Sequence, residues 1–268
     1  MGADIKSLRT RIKSVKSTLH LTKAMGLVAS SKIRRAQEER LKSQEYADAL
    51  TSIVDVLCSS KECKKSPYML GQGKMEKIIV VAGDRGLAGG YNANIFRFIR
   101  EMDAEFYPVG KKACERLGFP INSSEKIAYE ECLALANQLC SEFIEGKYSR
   151  VGIVYTEYVS MISQEPKIKY LLPLEKQEKE EKTNTGGAIF EPDELTMLEK
   201  SVPTYLAGVI YSLIKESFAC EVVARRSAMD SAGKNATAMI DELQLKYNRA
   251  RQGAITQEIT EIVAGAGE

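Results

Sequence analysis

The most chemically suggestive stretch of this 268-residue chain is Gly83-Asp84-Arg85-Gly86-Leu87-Ala88-Gly89-Gly90-Tyr91-Asn92. It follows an apolar run, Lys77 to Gly83, that has the look of a buried strand. A glycine-rich turn between strand and helix can aim backbone N–H groups at a phosphate. Its glycines are spaced G-x-x-G-x-x-G-G, which fits neither the dinucleotide fingerprint nor the P-loop, and no Lys-Ser/Thr pair follows. Two readings stand: a nucleotide cradle, or a tight turn packing helix on strand. The spacing favours the turn. Other catalytic material is sparse. His20 is the single histidine, so a histidine-dependent triad or metal cluster has little to draw on. It sits one position past a coiled-coil seam residue and reads as a flank. Asp230, Asp241 and the Glu242/Lys246 pair are adequately explained as helix-surface charges. The six cysteines, Cys58, Cys63, Cys114, Cys132, Cys140 and Cys220, show no metal-like pairing and read as reduced thiols.

Charge points to a partner rather than to a reaction. The net charge is only +2, but from Met1 to Ala36 the cations Lys6, Arg9, Arg11, Lys13, Lys16, Lys23, Lys32, Arg34 and Arg35 face Asp4 alone. Such a segment fits an acidic protein surface, nucleic acid or an anionic membrane. The run Lys32 to Ala36 lacks the interleaved aromatics of a single-strand binder, and an electropositive collar around a helical shaft is the sharper reading.

These groups are carried on long helices. Ile5, Leu8, Ile12, Val15, Leu19, Thr22, Gly26, Ala29, Ile33, Ala36, Arg40, Ser43, Ala47, Leu50, Val54 and Leu57 recur in steps of three and four, the seam of a coiled coil. Asp4 is a candidate N-cap. The middle of the seam is small or polar, which permits close backbone approach. Gly26 costs up to about 1 kcal/mol relative to alanine and marks either local bending or close packing. A second helix is expected from Pro203-Thr204 to about Val263. Its stripes are Leu206, Val209, Ile210, Leu213 and Ile214, then Ala232, Ala236, Met239, Leu243, Tyr247, Ala250 and Ala254. Helices of fifty-odd residues are about 80 Å long, whereas the middle of the chain scales to a body about 40 Å across, so the pattern predicts helices reaching beyond it.

Between them the chain alternates strand and helix. Strands are expected at 77–83, 106–109, 150–155 and 168–174, with helices at 91–102 and 129–145 and a charged loop from Glu175 to Gly187 that includes Glu178 to Lys182. The expected organisation is an N-terminal coiled-coil helix (1–57), a central Rossmann-like α/β domain (58–202) and a C-terminal coiled-coil helix (203–268).

Three separated stretches resemble one family, the gamma subunit of the bacterial F-type ATP synthase. They are Leu21-Thr22-Lys23-Ala24-Met25 with Val28 to Gln37, the turn Gly83 to Ile95, and Ala228-Met229-Asp230 with Lys234 to Thr237 and Leu245 to Val263. The resemblance runs end to end. It implies an antiparallel coiled coil of the two terminal helices inside a hexamer of three alpha and three beta subunits. It also implies an α/β domain beside the epsilon subunit and the ring of c subunits, with no nucleic-acid partner and no cofactor. The function implied is that of a non-catalytic central-stalk rotor, which couples ion flow to ATP synthesis or hydrolysis and regulates both. Its catalytic sites lie on beta, and its place is peripheral, on the cytoplasmic side of the cell inner membrane. Matched position by position, Arg251, Gln252 and Thr256 correspond to residues that bond beta-subunit loops. Met25, with Lys23 and Lys32, falls where the shaft meets an acidic segment of beta, and Phe190 and Glu191 fall in a segment touching the c ring. Gly26 and the stretch Ser217 to Arg226, with Val222 and Arg226, depart from the family pattern. Two alternatives of other classes are a doubly wound nucleotide-binding enzyme with helical arms and a nucleic-acid-binding coiled coil.

Overall fold

The computed structural model describes residues 2–161, 163–175 and 190–265. Nine regular elements follow in order: α1 (Gly2–Cys58), β1 (Met75–Val81), α2 (Tyr91–Phe98), β2 (Glu105–Val109), α3 (Lys111–Leu117), α4 (Tyr129–Ile144), β3 (Tyr148–Tyr158), β4 (Gln164–Leu172) and α5 (Glu194–Gly265). Two short 3-10 turns, Cys63–Lys65 and Pro67–Met69, lie between α1 and β1. The chain forms two compact units. One combines residues up to Ser30 with those from Arg225 onward, and the other is Ser31–Ala224.

The second unit is built on a four-stranded sheet of order β2-β1-β3-β4, with β1 parallel to both β2 and β3, and β4 antiparallel to β3. Both edge strands carry a proline, Pro108 in β2 and Pro166 in β4, where a missing N–H donor is tolerated. The continuous apolar run of β1 is explained by its two covered faces. Ile79 and Val81 join Leu135, Leu139 and Phe143 of α4 and Leu206, Ile210 and Ile214 of α5 in one core. Ile78 and Val80 join Tyr91 and Ile95 of α2 in another. The two-residue alternation of a strand sends successive side chains to opposite faces. Because α5 lies within the first core, residues 205–210 are buried on every side, the burial expected of a helix that is apolar all round. In this unit α1 and α5 run antiparallel: a side chain at Gly208 would meet Leu50 and Tyr46, and Lys215 pairs with Glu39.

The first unit is helix against helix, again antiparallel. Gly26 lies against Met229, and Gly233 lies against Leu19 and Thr22. The heptad reading of α1 is matched position by position: along both units each seam residue is buried or half-buried, Thr22 and Ala29 at 7% and 2% exposure among them.

Four expectations need correction. The C-terminal helix starts at Glu194, not near Pro203, which lies inside α5. Asp193 opens the helix by accepting from the Thr196 amide at 2.8 Å and the Thr196 hydroxyl at 2.8 Å, a stronger start signal than proline. Asp4 lies in the first turn of α1, not before it. In the second stripe of α5 Ile240 is buried at 7% while Met239 is 43% exposed, so the seam passes through the neighbour of the residue read from sequence. Helix α3 was not anticipated. It ends at Gly118, whose φ of 74° and N–H bond to the Cys114 carbonyl form a left-handed helix stop. The charged loop read after Glu175 falls outside the described residues from position 176 to 189.

Candidate interaction surfaces

The glycine-rich turn leads from β1 into α2, and its amides do face an anion. That anion is the carboxylate of Glu221 on α5, which is 1% exposed. The amides of Asp84 and Arg85 donate to its two oxygens at 3.4 and 3.3 Å. A Cβ at Gly83 would stand 2.7 Å from the Glu221 carboxyl carbon, so a larger residue there would displace the carboxylate from these amides. The amides a phosphate would use are taken by the chain's own side chain, and the tight-turn reading prevails over the nucleotide cradle.

Asp84, the next residue, organises the other side of the turn. Its carboxylate accepts from the Ser123 hydroxyl at 2.5 Å and from the amides of Lys111, Ser124 and Glu125 at 3.1, 3.0 and 3.1 Å. Burial alone would raise its pKa. The Ser123 hydroxyl and the amides of Lys111, Glu125 and Ser124 outweigh it and hold the group below its ordinary value of 3.8.

Further polar bonds tie the sheet and α2 to the same turns of α5. The Tyr91 hydroxyl donates to the Ser217 carbonyl at 2.9 Å, the Thr156 amide to the Ser217 hydroxyl at 2.8 Å, and the Tyr158 amide to Glu216 at 2.9 Å. Burial pushes the Glu216 carboxyl up from its ordinary value, with the Tyr158 amide and Arg40 opposing. Nearly every one of these partners is buried or half-buried, so α5 is fixed to the sheet in rotation as well as in distance. Sequence reasoning missed Glu221 and Glu216. A signal was present: Glu221 is the one carboxylate in the run Phe218 to Ala224, and a buried charge demands partners.

In the first unit, Arg226 crosses to α1 and donates to the Gly26 carbonyl at 3.1 Å and to the Ser30 hydroxyl. A Cβ at Gly26 would touch Met229 at 3.6 Å and Arg226 at 4.0 Å. The glycine therefore marks close packing, and the two sequence departures, Gly26 and Arg226, are partners. Beside this crossing runs a groove of about 630 Å³ lined by residues that include Lys23, Leu27, Lys234 and Asp241.

The candidate contact residues are placed as follows. Lys23 is exposed on that groove and Met25 is half-buried beside it in sequence. Arg251, Gln252 and Thr256 are exposed on α5, with the Thr256 hydroxyl bonded to the Gln252 carbonyl at 3.0 Å. From Lys234, on the same groove as Lys23, to Arg251 is roughly 25 Å of helix at 1.5 Å per residue, so these residues form two patches, not one. Lys32, in the other unit, pairs with Glu125 at 2.5 Å. Phe190 is half-buried against the core and Glu191 is exposed. His20 is exposed among Lys13, Lys16 and Ser17. All six cysteines are buried and free. Burial pushes the thiols of Cys58 and Cys140 up to about 11 and that of Cys132 to about 12, which disfavours thiolate chemistry. No described helix is long and apolar enough to cross a membrane.

Two antiparallel helix pairings and a sheet pinned to one of those helices by buried polar bonds define the class of paired long helices carrying an α/β domain. The sequence profile of the family described as ATP synthase matches residues 4–267. The chain belongs to the ATP synthase gamma chain family. It is 37% identical to the ATP synthase gamma chain of Geobacter metallireducens, across 98% of each chain, and 38% identical to that of Mycoplasma mobile, also across 98% of each. Among solved structures, a chain of the Euglena gracilis mitochondrial ATP synthase OSCP/F1/c-ring assembly shares the fold with a TM-score of 0.68 at 19% identity, over 98% of this chain and 94% of that one. A chain of the central stalk and c-ring of the Tetrahymena thermophila enzyme does so with a TM-score of 0.58 at 21% identity, over 79% and 99%.

Proposed function

We propose that the chain is the central-stalk rotor of an ion-translocating ATP synthase, carrying rotation between a membrane c ring and a hexamer of three alpha and three beta subunits. ATP chemistry resides on the beta subunits, and this chain biases their states by presenting a different face to each. Every rotor angle then stabilises a different set of catalytic conformations. The epsilon subunit is the further partner, and the assembly holds the chain peripherally at the cytoplasmic side of the cell inner membrane. The reading is carried by the sheet's attachment to α5. A domain fastened through Glu221, Ser217 and Glu216 passes torque to the helix it grips, where a loosely tethered one would slip. Lys23, Met25 and Lys32 are proposed to meet an acidic segment of beta, Arg251, Gln252 and Thr256 to bond beta-subunit loops, and Phe190 and Glu191 to face the c ring.

The test is to purify the native complex and to delete the chain after Tyr247. One copy of this chain per three alpha and three beta chains is expected, with ATP-driven ion pumping reduced in the truncated assembly while the α/β domain stays folded. Full pumping after the deletion would refute the proposed tip contacts. Absence of the chain from the complex would refute the rotor reading.

A further inference from the structure

In the second unit a cavity of about 400 Å³ opens between α1, the loop before α4, and α5. Its wall holds Lys32, Arg35, Lys126 and Lys215 against only two carboxylates, Glu39 and Glu125. Those carboxylates already have close cationic partners. Lys32 reaches Glu125 at 2.5 Å and Arg35 reaches Glu39 at 2.9 Å. Lys126 is exposed, and Lys215, whose side chain is only 7% exposed, shares Glu39 with Arg35, so the four cations of the wall outnumber its two carboxylates.

Lys215 is the unusual one. An ammonium group carries three donors, and charge-assisted bonds to oxygen normally close to about 2.7–2.9 Å. Here the nearest acceptors are a Glu39 oxygen and the Glu125 carbonyl, both at 3.5 Å, with the Tyr211 ring 5.2 Å from the nitrogen. A charge so far removed from water is costly unless well coordinated. Lys215 is held loosely, at the limit of hydrogen bonding, on the wall of a cavity that has other cations around its rim.

We propose that this cavity is an anion site that takes a phosphate group, with Lys215 as the donor at its base and Lys126 and Arg35 closing on it from the loop and from α1. Four cations against two carboxylates leave the wall a net excess of two positive charges, which matches a phosphate dianion. Donors arriving from three separate elements suit a tetrahedral oxyanion better than a planar carboxylate, and the small volume excludes a folded partner. The phosphate group has two possible sources, inorganic phosphate or the phosphoryl end of a nucleotide. The inference does not depend on the rotor reading, since binding is measured on the full-length chain alone.

The experiment titrates the full-length chain with inorganic phosphate by calorimetry and phosphorus NMR, with chloride at matched ionic strength as control. The expected result is saturable binding of one equivalent, at least tenfold weaker in Lys126→Ser and lost in Lys215→Met. Lys126 is exposed, so its variant tests the site even if the Lys215 variant does not fold. A second titration with ADP identifies the source: displacement of phosphate at equal or lower concentration assigns a nucleotide phosphoryl group, and no displacement assigns inorganic phosphate. A phosphate response no larger than that of chloride, or one unchanged by Lys126→Ser, overturns the proposal.

Discussion

If the glycine-rich turn exists to receive the carboxylate of Glu221, then Gly83 and Glu221 are energetically one unit. Glu221→Ala removes, among its contacts, the two charge-assisted hydrogen bonds from the Asp84 and Arg85 amides, each worth about 1.5–3 kcal/mol at good geometry. Both are long, at 3.3 and 3.4 Å, so the lower end applies and the pair contributes about 3 kcal/mol. These figures are already net of desolvation, so the expected loss is about 3 kcal/mol. Gly83→Ala acts on the same contact from the other side. A Cβ 2.7 Å from the Glu221 carboxyl carbon and 3.0 Å from both oxygens displaces the end of this flexible side chain from the amides and weakens both bonds, at about 2 kcal/mol.

The two losses are not additive. Once Glu221 is alanine, the atoms that a Cβ at position 83 would strike are gone, and Gly83→Ala should then cost less than about 0.5 kcal/mol. The double-mutant cycle is therefore expected to show a coupling of about 1.5 kcal/mol, well beyond the few tenths seen for independent sites. Native-state hydrogen exchange at the amides of Asp84 and Arg85 is the right assay, because a chain of two compact units does not guarantee a single two-state melt. Full additivity of the two substitutions, or unchanged protection of those amides in Glu221→Ala, would refute the account.

Asp84 offers a pH signature. Its folded pKa lies below the ordinary 3.8, so it contributes stability that is complete above about pH 4 and fades as pH falls through the lower, folded value. Asp84→Asn should lower urea resistance at neutral pH and flatten the acid loss below pH 4; an unchanged acid limb in a pH series of urea melts would contradict this. On the helix pair, Ile240→Ala should cost about 2–3 kcal/mol as a buried seam residue, and Met239→Ala less than about 1, measured by thermal melts of the full chain. Equal losses would restore the seam read from sequence.

The parts of this fold that could be read from sequence are those governed by periodicity. The α1 seam was legible because one heptad beat runs from Ile5 to Leu57 without interruption, and the burial of Thr22, Gly26, Ala29 and Ala36 follows it. The seam of α5 was legible only in part. Its positions 205 to 223 are almost all buried, and a helix buried on every side carries no phase, so the sequence does not set the register beyond it, where Ile240 and not Met239 is buried. The start of α5 was misplaced for a different reason. Pro203 is a familiar first-turn residue, but tertiary packing of Leu198 and Val202, both wholly buried, extends the helix past it to the better cap at Asp193.

The site was less legible than the fold because its chemistry is split across about 140 positions of sequence. The spacing of Gly83, Gly86 and Gly89 speaks of a turn able to receive an anion, and that much was sound. What it cannot say is whether the anion comes from solution or from the chain. The answer lies in Glu221, a carboxylate within an apolar helical stretch that would be a liability unless something neutral and donor-rich lay opposite. Read together, a donor-rich turn without a ligand signature and a buried acid in an apolar helical stretch explain each other. The same logic separates this turn from a nucleotide loop. In a nucleotide loop the glycines clear space for a ligand that leaves, whereas Gly83 clears space for a side chain anchored to α5. A domain held in this way has given up a binding site to gain a rigid joint, which is the property a torque-bearing subunit needs.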